Sequence, residues 1–374
     1  MPVSGFVDHH THLLAAAAGV PFPWQGGTVR AFHERVLRNR ITPMDVPEPV
    51  TGDVPAAELA SRLRHGLRRA ASVGLVEVTE MGMRDWRYLD ALASGGDRPL
   101  PARVRVYLAS GLAERSGAAE LGARRAGCGP WVRLEGVKFY ADGWLVPRTC
   151  AMCWSFEDED TAGILFCDAA ALARRIEPFA AAGWRIATHA IGDRAVQTVL
   201  DAYELAWGGD RDAVAAAAPR IEHGSVLSAE LVSRIAELGV VVCIQPSFAV
   251  TDAAQVPLAL GVGRAESAYP WASLAEAGAG LLSGTDYPIE VIEPLVGLAR
   301  LVTGRCMRPG FLTDAGAPPH STLSAEVALA GSTDRAAGRT LLSADPAKVA
   351  YADLDKIEVH GTEPAPFRVG LAGD

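Results

Sequence analysis

Phe6-Val7-Asp8-His9-His10-Thr11-His12 runs from an apolar pair into three histidines within four positions. If this stretch ends a β-strand, successive side chains alternate between its two faces. His10 and His12 then project to one side, and His9 and Thr11 to the other. Two imidazoles on one side of a strand end can grip one divalent ion. A polar, histidine-rich loop would carry the same letters, and the stretch alone leaves that alternative open. The rest of the chain bears on the choice.

Short apolar runs alternate with amphipathic ones from one end to the other. The predicted strands are Gly5–Asp8, Gly74–Thr79, Val104–Ala109, Gly136–Tyr140, Arg185–His189, Arg220–His223, Val240–Ile244 and Gly280–Gly284. Between them the spacing predicts helices at Ala56–Ser72, Arg84–Ala93, Glu114–Ala126, Ala169–Ala182, Asp193–Trp207, Ala229–Leu238, Trp271–Ala277 and Pro294–Thr303. Asp168 and Ser228 are the expected helix N-caps, and Gly74, Gly183, Gly239 and Gly278 the expected helix stops. Eight strands, each followed by a helix, imply an α/β fold of the (β/α)8 TIM-barrel type rather than an open sheet.

The connections are unequal. Strand-to-helix links are long after strand 1 (Leu13–Pro55), strand 4 (Ala141–Cys167), strand 7 (Gln245–Pro270) and strand 8. In a barrel all of these lie on the C-terminal face, where active sites of this fold are built.

The bulk properties narrow the function. The chain has 374 residues, 49% hydrophobic and 21% charged, enough for a sizeable core in one large unit. Its net charge of −9, without a basic cluster, excludes nucleic acid and an anionic membrane as expected partners. Met1 to His12 carries no basic leader segment, and no apolar window is long enough to span a bilayer. Six scattered cysteines (Cys128, Cys150, Cys153, Cys167, Cys243, Cys306) read as reduced thiols. The expectation is a soluble, cytoplasmic protein acting on a small molecule, with a homodimer admitted.

The histidine pair has company. His189 ends the predicted fifth strand, His223 the sixth, and Asp286 the eighth. One such histidine is ordinarily a hydrogen-bonded structural residue. Four imidazoles and a carboxylate at equivalent strand ends converge on one pocket, and such N/O donors suit zinc, iron or manganese. Lys138 is a further oddity, a charge inside the apolar run Gly136-Val137-Lys138-Phe139-Tyr140. Buried lysine is costly unless paired or chemically changed. A neutral amine there can add carbon dioxide to give a carbamate; snorkelling to the rim or pairing with Asp142 is the plainer alternative. Glu222 and Asp193 are candidates to orient ligand histidines, with ordinary salt bridges or helix capping as alternatives.

On the stretches FVDHHTH, GVKFYADGWLVPRT, THAIGDRAVQTVLDAYE, RIEHGSVLS and SGTDYPIE, the chain resembles the amidohydrolase superfamily, and within it the branch that includes N-substituted formamide deformylases. The likeness runs from residue 6 to about 290. It implies two divalent metal ions, zinc being expected. His10, His12 and Asp286 would hold the more buried ion and His189 and His223 the more exposed one, with Lys138, as carbamate, bridging them. It also implies Asp286 as general base towards a metal-bridging hydroxide, and hydrolysis of a C–N bond in an amide, N-formyl or cyclic amide. Lactone or ester hydrolysis, or ring closure, would use the same site; a non-catalytic binding protein is the alternative from another class.

Two departures stand out. Family members usually carry some fifty residues before the first HxH, contributing to a small β-sandwich. Here strand 1 begins almost at Met1, so the sandwich is expected to be absent or vestigial, with residues 1–350 as the barrel and 351–374 as a tail or sandwich remnant. The loop after strand 4 carries Trp144, Arg148, Cys150, Cys153 and Trp154 in place of small residues. Trp144, Trp154 and Tyr287 are candidate pocket walls. Arg148 is a candidate for a substrate carboxylate or phosphate, or else pairs with Glu157 or Asp158. The Cys150-x-x-Cys153 spacing, with no second such pair, reads as structural.

Overall fold

Alternating runs become strands as expected, and the strands join one sheet. The computed structural model describes residues 1–20, 28–39, 42–46, 54–94, 96, 98–305 and 316–367. Among the described residues, ten strands run in chain order as β1 (Pro2–Thr11), β2 (Leu75–Met83), β3 (Arg103–Ala109), β4 (Val132–Tyr140), β5 (Arg185–Ala190), β6 (Arg220–His223), β7 (Val241–Ile244), β8 (Gly280–Ser283), β9 (Thr333–Leu342) and β10 (Val359–Pro364). Their order in the sheet is β10-β9-β1-β2-β3-β4-β5-β6-β7-β8. Neighbours from β1 to β8 are all parallel, whereas β9 and β10 are antiparallel to their neighbours.

All eight predicted strands and all eight predicted helices are present, with ends moved by a few residues. Helix Ala56–Ser72 shows why: Leu59, Leu63 and Leu67 recur every fourth residue, and all three are buried. Every residue of β2 is buried too, as a strand covered on both faces requires. Asp168 and Ser228 accept from the N–H groups of Ala171 and Leu231, the expected N-caps. Gly74, Gly183, Gly239 and Gly278 all take positive φ, which ends each helix without a Cβ clash.

Two strands were not expected. β9 pairs with β1, and β10 pairs with β9. β10 falls in the 351–374 stretch read from sequence as a tail or remnant, and beyond it Phe367 N–H donates to the carbonyl of Pro130. Residues 368–374 of that stretch, Cys306, and residues 21–27, 40–41 and 47–53 of the loop after β1 lie outside the described residues.

The segment after β8 returns to β1. Asp286 N–H donates to the His10 carbonyl and His12 N–H to the Tyr287 carbonyl, both at 2.7 Å. Gly284 is required here, because a Cβ would stand 2.5 Å from His10 N and Cβ. Asp8 adds a side-chain tie, accepting from Thr285 N–H (3.0 Å), Thr285 Oγ1–H (2.6 Å) and His10 N–H (3.1 Å). Among the described residues, no helix is long and apolar enough to cross a membrane.

Candidate metal centre

The sheet carries each candidate ligand to the same end. His10 sits near the end of β1 and His12 just past it, Lys138 lies late in β4, His189 and His223 close β5 and β6, and Asp286 follows β8. Asp286 Oδ1 lies 3.1 Å from His12 Nε2 and 3.4 Å from His10 Nε2. Ligand atoms of His10, His12 and Asp286 all fall within 4.8 Å of one another. The rings continue the cluster: His10 to His12 is 5.5 Å between centroids, His10 to His223 5.1 Å, and His223 to His189 4.5 Å. His223 and Asp286 both hold left-handed φ, 80° and 56°, a conformation disfavoured for residues with a Cβ. Strain of this kind collects at working sites.

Three of the imidazoles, His10, His189 and His223, have a partner that aims them. His10 Nδ1 donates to Glu222 Oε2 at 2.6 Å, leaving Nε2 as the lone-pair nitrogen turned towards Asp286. His223 Nδ1 donates to Gln245 Oε1 at 2.7 Å. His189 Nε2 donates to the Gly143 carbonyl at 3.0 Å, which frees its Nδ1, and its ring stacks on Tyr140 at 3.7 Å. Glu222 thus holds a candidate ligand histidine and also pairs with Arg220. Asp193 does not: its Oδ1 accepts from Cys153 N–H and Arg194 N–H, pinning the loop after β4 to the start of a helix. Asp142 lies beside His189 instead, its Oδ1 3.5 Å from Nε2, and it also accepts from the N–H groups of Ala151, Ile191 and Gly192.

Electrostatics favours neutral nitrogen donors. Burial holds His189 well below its ordinary value, lowers His10, and brings His223 to about 3. Lys138 is 2% exposed, and burial lowers its amine to about 8 against the opposing pull of Glu222 and Asp286. Its Nζ has no hydrogen-bond partner among the described residues. Burial would raise the Asp286 carboxyl, but His10, His12 and His223 outweigh it and hold the group well below the usual carboxylate range.

A cavity of 610 Å³ opens over this cluster, with His223 and Asp286 in its wall and Trp144, Phe248 and Tyr269 around them. Trp144 lines this cavity, its indole N–H donating to Tyr140 Oη at 2.7 Å. Arg148 is drawn away from the cavity: its guanidinium grips Asp158 at 2.5 and 2.9 Å, so pairing, rather than substrate contact, accounts for its donors. Trp154 and Tyr287 also stand outside the cavity wall. Trp154 is 36% exposed under the Arg264 guanidinium, and Tyr287 packs against the core. Cys150 is buried with Sγ 3.8 Å from Met152 Sδ, Cys153 is exposed, and both are free thiols.

Asp8, Gln245 and Arg220 were not expected from sequence. For Arg220 a signal existed, since in Arg220-Ile221-Glu222 the period of two puts Arg220 and Glu222 on one face of β6.

Comparison with known proteins gives the same direction. The model of the Amidohydrolase family matches residues 35–345. The chain is 34% identical over 177 residues to "Putative amidohydrolase YtcJ" of Bacillus subtilis (strain 168), covering 46% of this chain and 32% of that one. It is 34% identical over 169 residues to "Protein LONG AFTER FAR-RED 3" of Arabidopsis thaliana, covering 44% and 28% respectively. The chain therefore matches about a third of the length of these curated relatives. A crystal structure of an uncharacterized metal-dependent hydrolase from Pyrococcus furiosus has the same fold, with a TM-score of 0.67 at 22% identity over 98% of this chain and 86% of that one.

Proposed function

The chain belongs to the amidohydrolase family, and from that premise we propose that it is a metal-dependent hydrolase cleaving a C–N bond of an amide, N-formyl or cyclic amide. One observation carries the proposal: four imidazoles and Asp286 gather at the strand ends beside Lys138, a buried amine with no hydrogen-bond partner among the described residues. We read β1 to β8 as a (β/α)8 barrel within residues 1–350, with 351–374 as a tail or sandwich remnant. The return of the segment after β8 to β1 supports closure, and β9 pairs with β1, and β10 with β9, within the same sheet.

The residues present fit divalent ions. Ligation needs deprotonated donors, and burial lowers His10, His189 and His223 towards the neutral form. His10, His12 and Asp286 would hold one ion and His189 and His223 a second, zinc suiting such donors. Lys138 would lie between them as a carbamate, its neutral amine bonding to the carbon of carbon dioxide and releasing one proton. Bound ions would supply acidification of a water molecule and polarisation of the carbonyl under attack.

Asp286, ionised and buried, takes the proton as water attacks and returns it to the leaving nitrogen. Gln245 and Glu222 keep His223 and His10 from turning. Trp144 offers a flat apolar wall to a planar substrate. Five free thiols among the described residues support a reducing, cytoplasmic setting.

A panel of N-formyl amines, cyclic ureas, hydantoins and lactones, scored by product mass on metal-loaded protein, tests the reading. Turnover of an amide, abolished by a chelator and restored by metal, is the expected result. Hydrolysis of lactones alone would refute the C–N assignment, and chelator-insensitive turnover would refute the metal.

A further inference from the structure

Arg220 is a guanidinium in the interior, 6% exposed, on the strand that also supplies Glu222 and His223. Its contacts lead to one residue. Nη2–H donates to Glu222 Oε2 at 3.1 Å, and Nε lies 2.9 Å from Glu222 Oε1. The same Nη2 donates to the His9 carbonyl at 2.9 Å. The guanidinium carbon stands 5.2 Å from the centroid of the Tyr107 ring, which braces it.

Both anchored groups bear on His10. Glu222 Oε2 is the acceptor of His10 Nδ1–H, so it sets the angle of the imidazole. The His9 carbonyl belongs to the peptide plane that carries His10 N, and the N–H on its other edge is taken by Asp8. One side chain therefore restrains the ring and the backbone of His10 together. It does so across the fold, since β6 and β1 are separated by four strands in the sheet order.

We propose that Arg220 is a positioning residue for the metal centre, holding the His10 imidazole in its ligating orientation through Glu222 and through the His9 carbonyl at once. The inference rests on the metal-hydrolase reading above. A planar fork with several fixed donors can make both contacts; an ammonium supplies charge at a single point. Arg220→Lys therefore keeps the charge beside Glu222 and loses the simultaneous hold on His9.

Divalent affinity, measured by chelator competition, and the visible spectrum of the cobalt-loaded protein test this in the full chain. Arg220→Lys should weaken binding about 10- to 100-fold, as removal of an orienting partner does, and alter the cobalt spectrum, while the metal-free protein melts close to wild type. Arg220→Gln, uncharged and short of His9, should weaken binding at least as much. In combination with Glu222→Gln, Arg220→Lys should add little further loss of affinity. Wild-type affinity and an unchanged cobalt spectrum in Arg220→Lys, with only the melting temperature lowered, would show a structural ion pair and overturn the assignment. So would full additivity of the two substitutions. A wild-type chain that binds no divalent ion would instead overturn the metal reading, and this inference with it.

Discussion

The two ends of the parallel strands handle buried charge in opposite ways. Towards their N-terminal ends the charges match one another. Glu77 pairs with Arg103 and Arg105, Arg105 also reaches Glu135 at 2.7 Å, and Arg103 reaches Asp334 on β9 at 3.2 Å. Phe367, from the segment after β10, lays its ring against Arg103, Arg105 and Arg133 at 4.4 to 5.4 Å. At the C-terminal ends the balance fails. Lys138 Nζ is buried without a hydrogen bond among the described residues, burial lowers His10, His189 and His223, and two residues hold disfavoured backbone angles. A buried polar atom without a partner calls for a reason. One end holds the sheet together, and on the proposed function the other gives up stability to keep donors free for a ligand.

Substitutions at the two ends should separate these roles. The largest effect is expected at Asp286. Asp286→Asn should lower turnover by about 10²- to 10⁴-fold, the usual worth of a general base, with metal retained; an active variant removes Asp286 from that role. Glu77→Ala, at the other end, should destabilise the fold by about 3–5 kcal/mol because two arginines lose a buried partner. Its urea midpoint should fall while divalent affinity stays unchanged, and a changed affinity would mean that the ends are not independent.

Lys138 should behave in the reverse sense. Lys138→Met removes a buried donor that has no partner among the described residues, so the metal-free protein should gain about 1 kcal/mol or remain neutral. The smallest effect concerns pH. The folded chain holds the Lys138 proton only below about 8, whereas the unfolded chain holds it to the ordinary value of 10.5. Between those values the unfolded state binds more protons, so the stability of the metal-free protein should rise with pH across that window. The rise should be missing in Lys138→Met, and a flat wild-type profile would contradict the lowering of the Lys138 amine by burial.

The fold and the centre were legible to different depths. His10, His12, His189, His223 and Asp286 could be found because strand period and strand-end position are local properties. Lys138 stood out because a charge in an apolar run is a local anomaly. β9 escaped because Thr333-Asp334-Arg335-Ala336-Ala337-Gly338 lacks the branched apolar residues of a strand, and its place comes from pairing with β1, some three hundred residues away in sequence. The loop after β4 misled for a similar reason. Its path is set by Asp142 and Asp193 accepting distant backbone N–H groups, which turns Arg148 towards Asp158 and leaves Trp154 exposed. The partners that aim the histidines, Gln245 just past β7 and Arg220 on β6, meet them only through the fold, and Arg220 reaches the His9 carbonyl from the far side of the sequence.

Native mass spectrometry of the intact protein, purified with divalent metal and bicarbonate, tests the centre most directly. The expected mass is that of the chain with two divalent ions and one carbon dioxide. All three should be lost in Lys138→Ala, and the ions partly restored by a short carboxylic acid. A wild-type chain without bound ions, or a Lys138→Ala variant with full metal occupancy, would contradict the assignment of this cluster as a lysine-bridged metal centre.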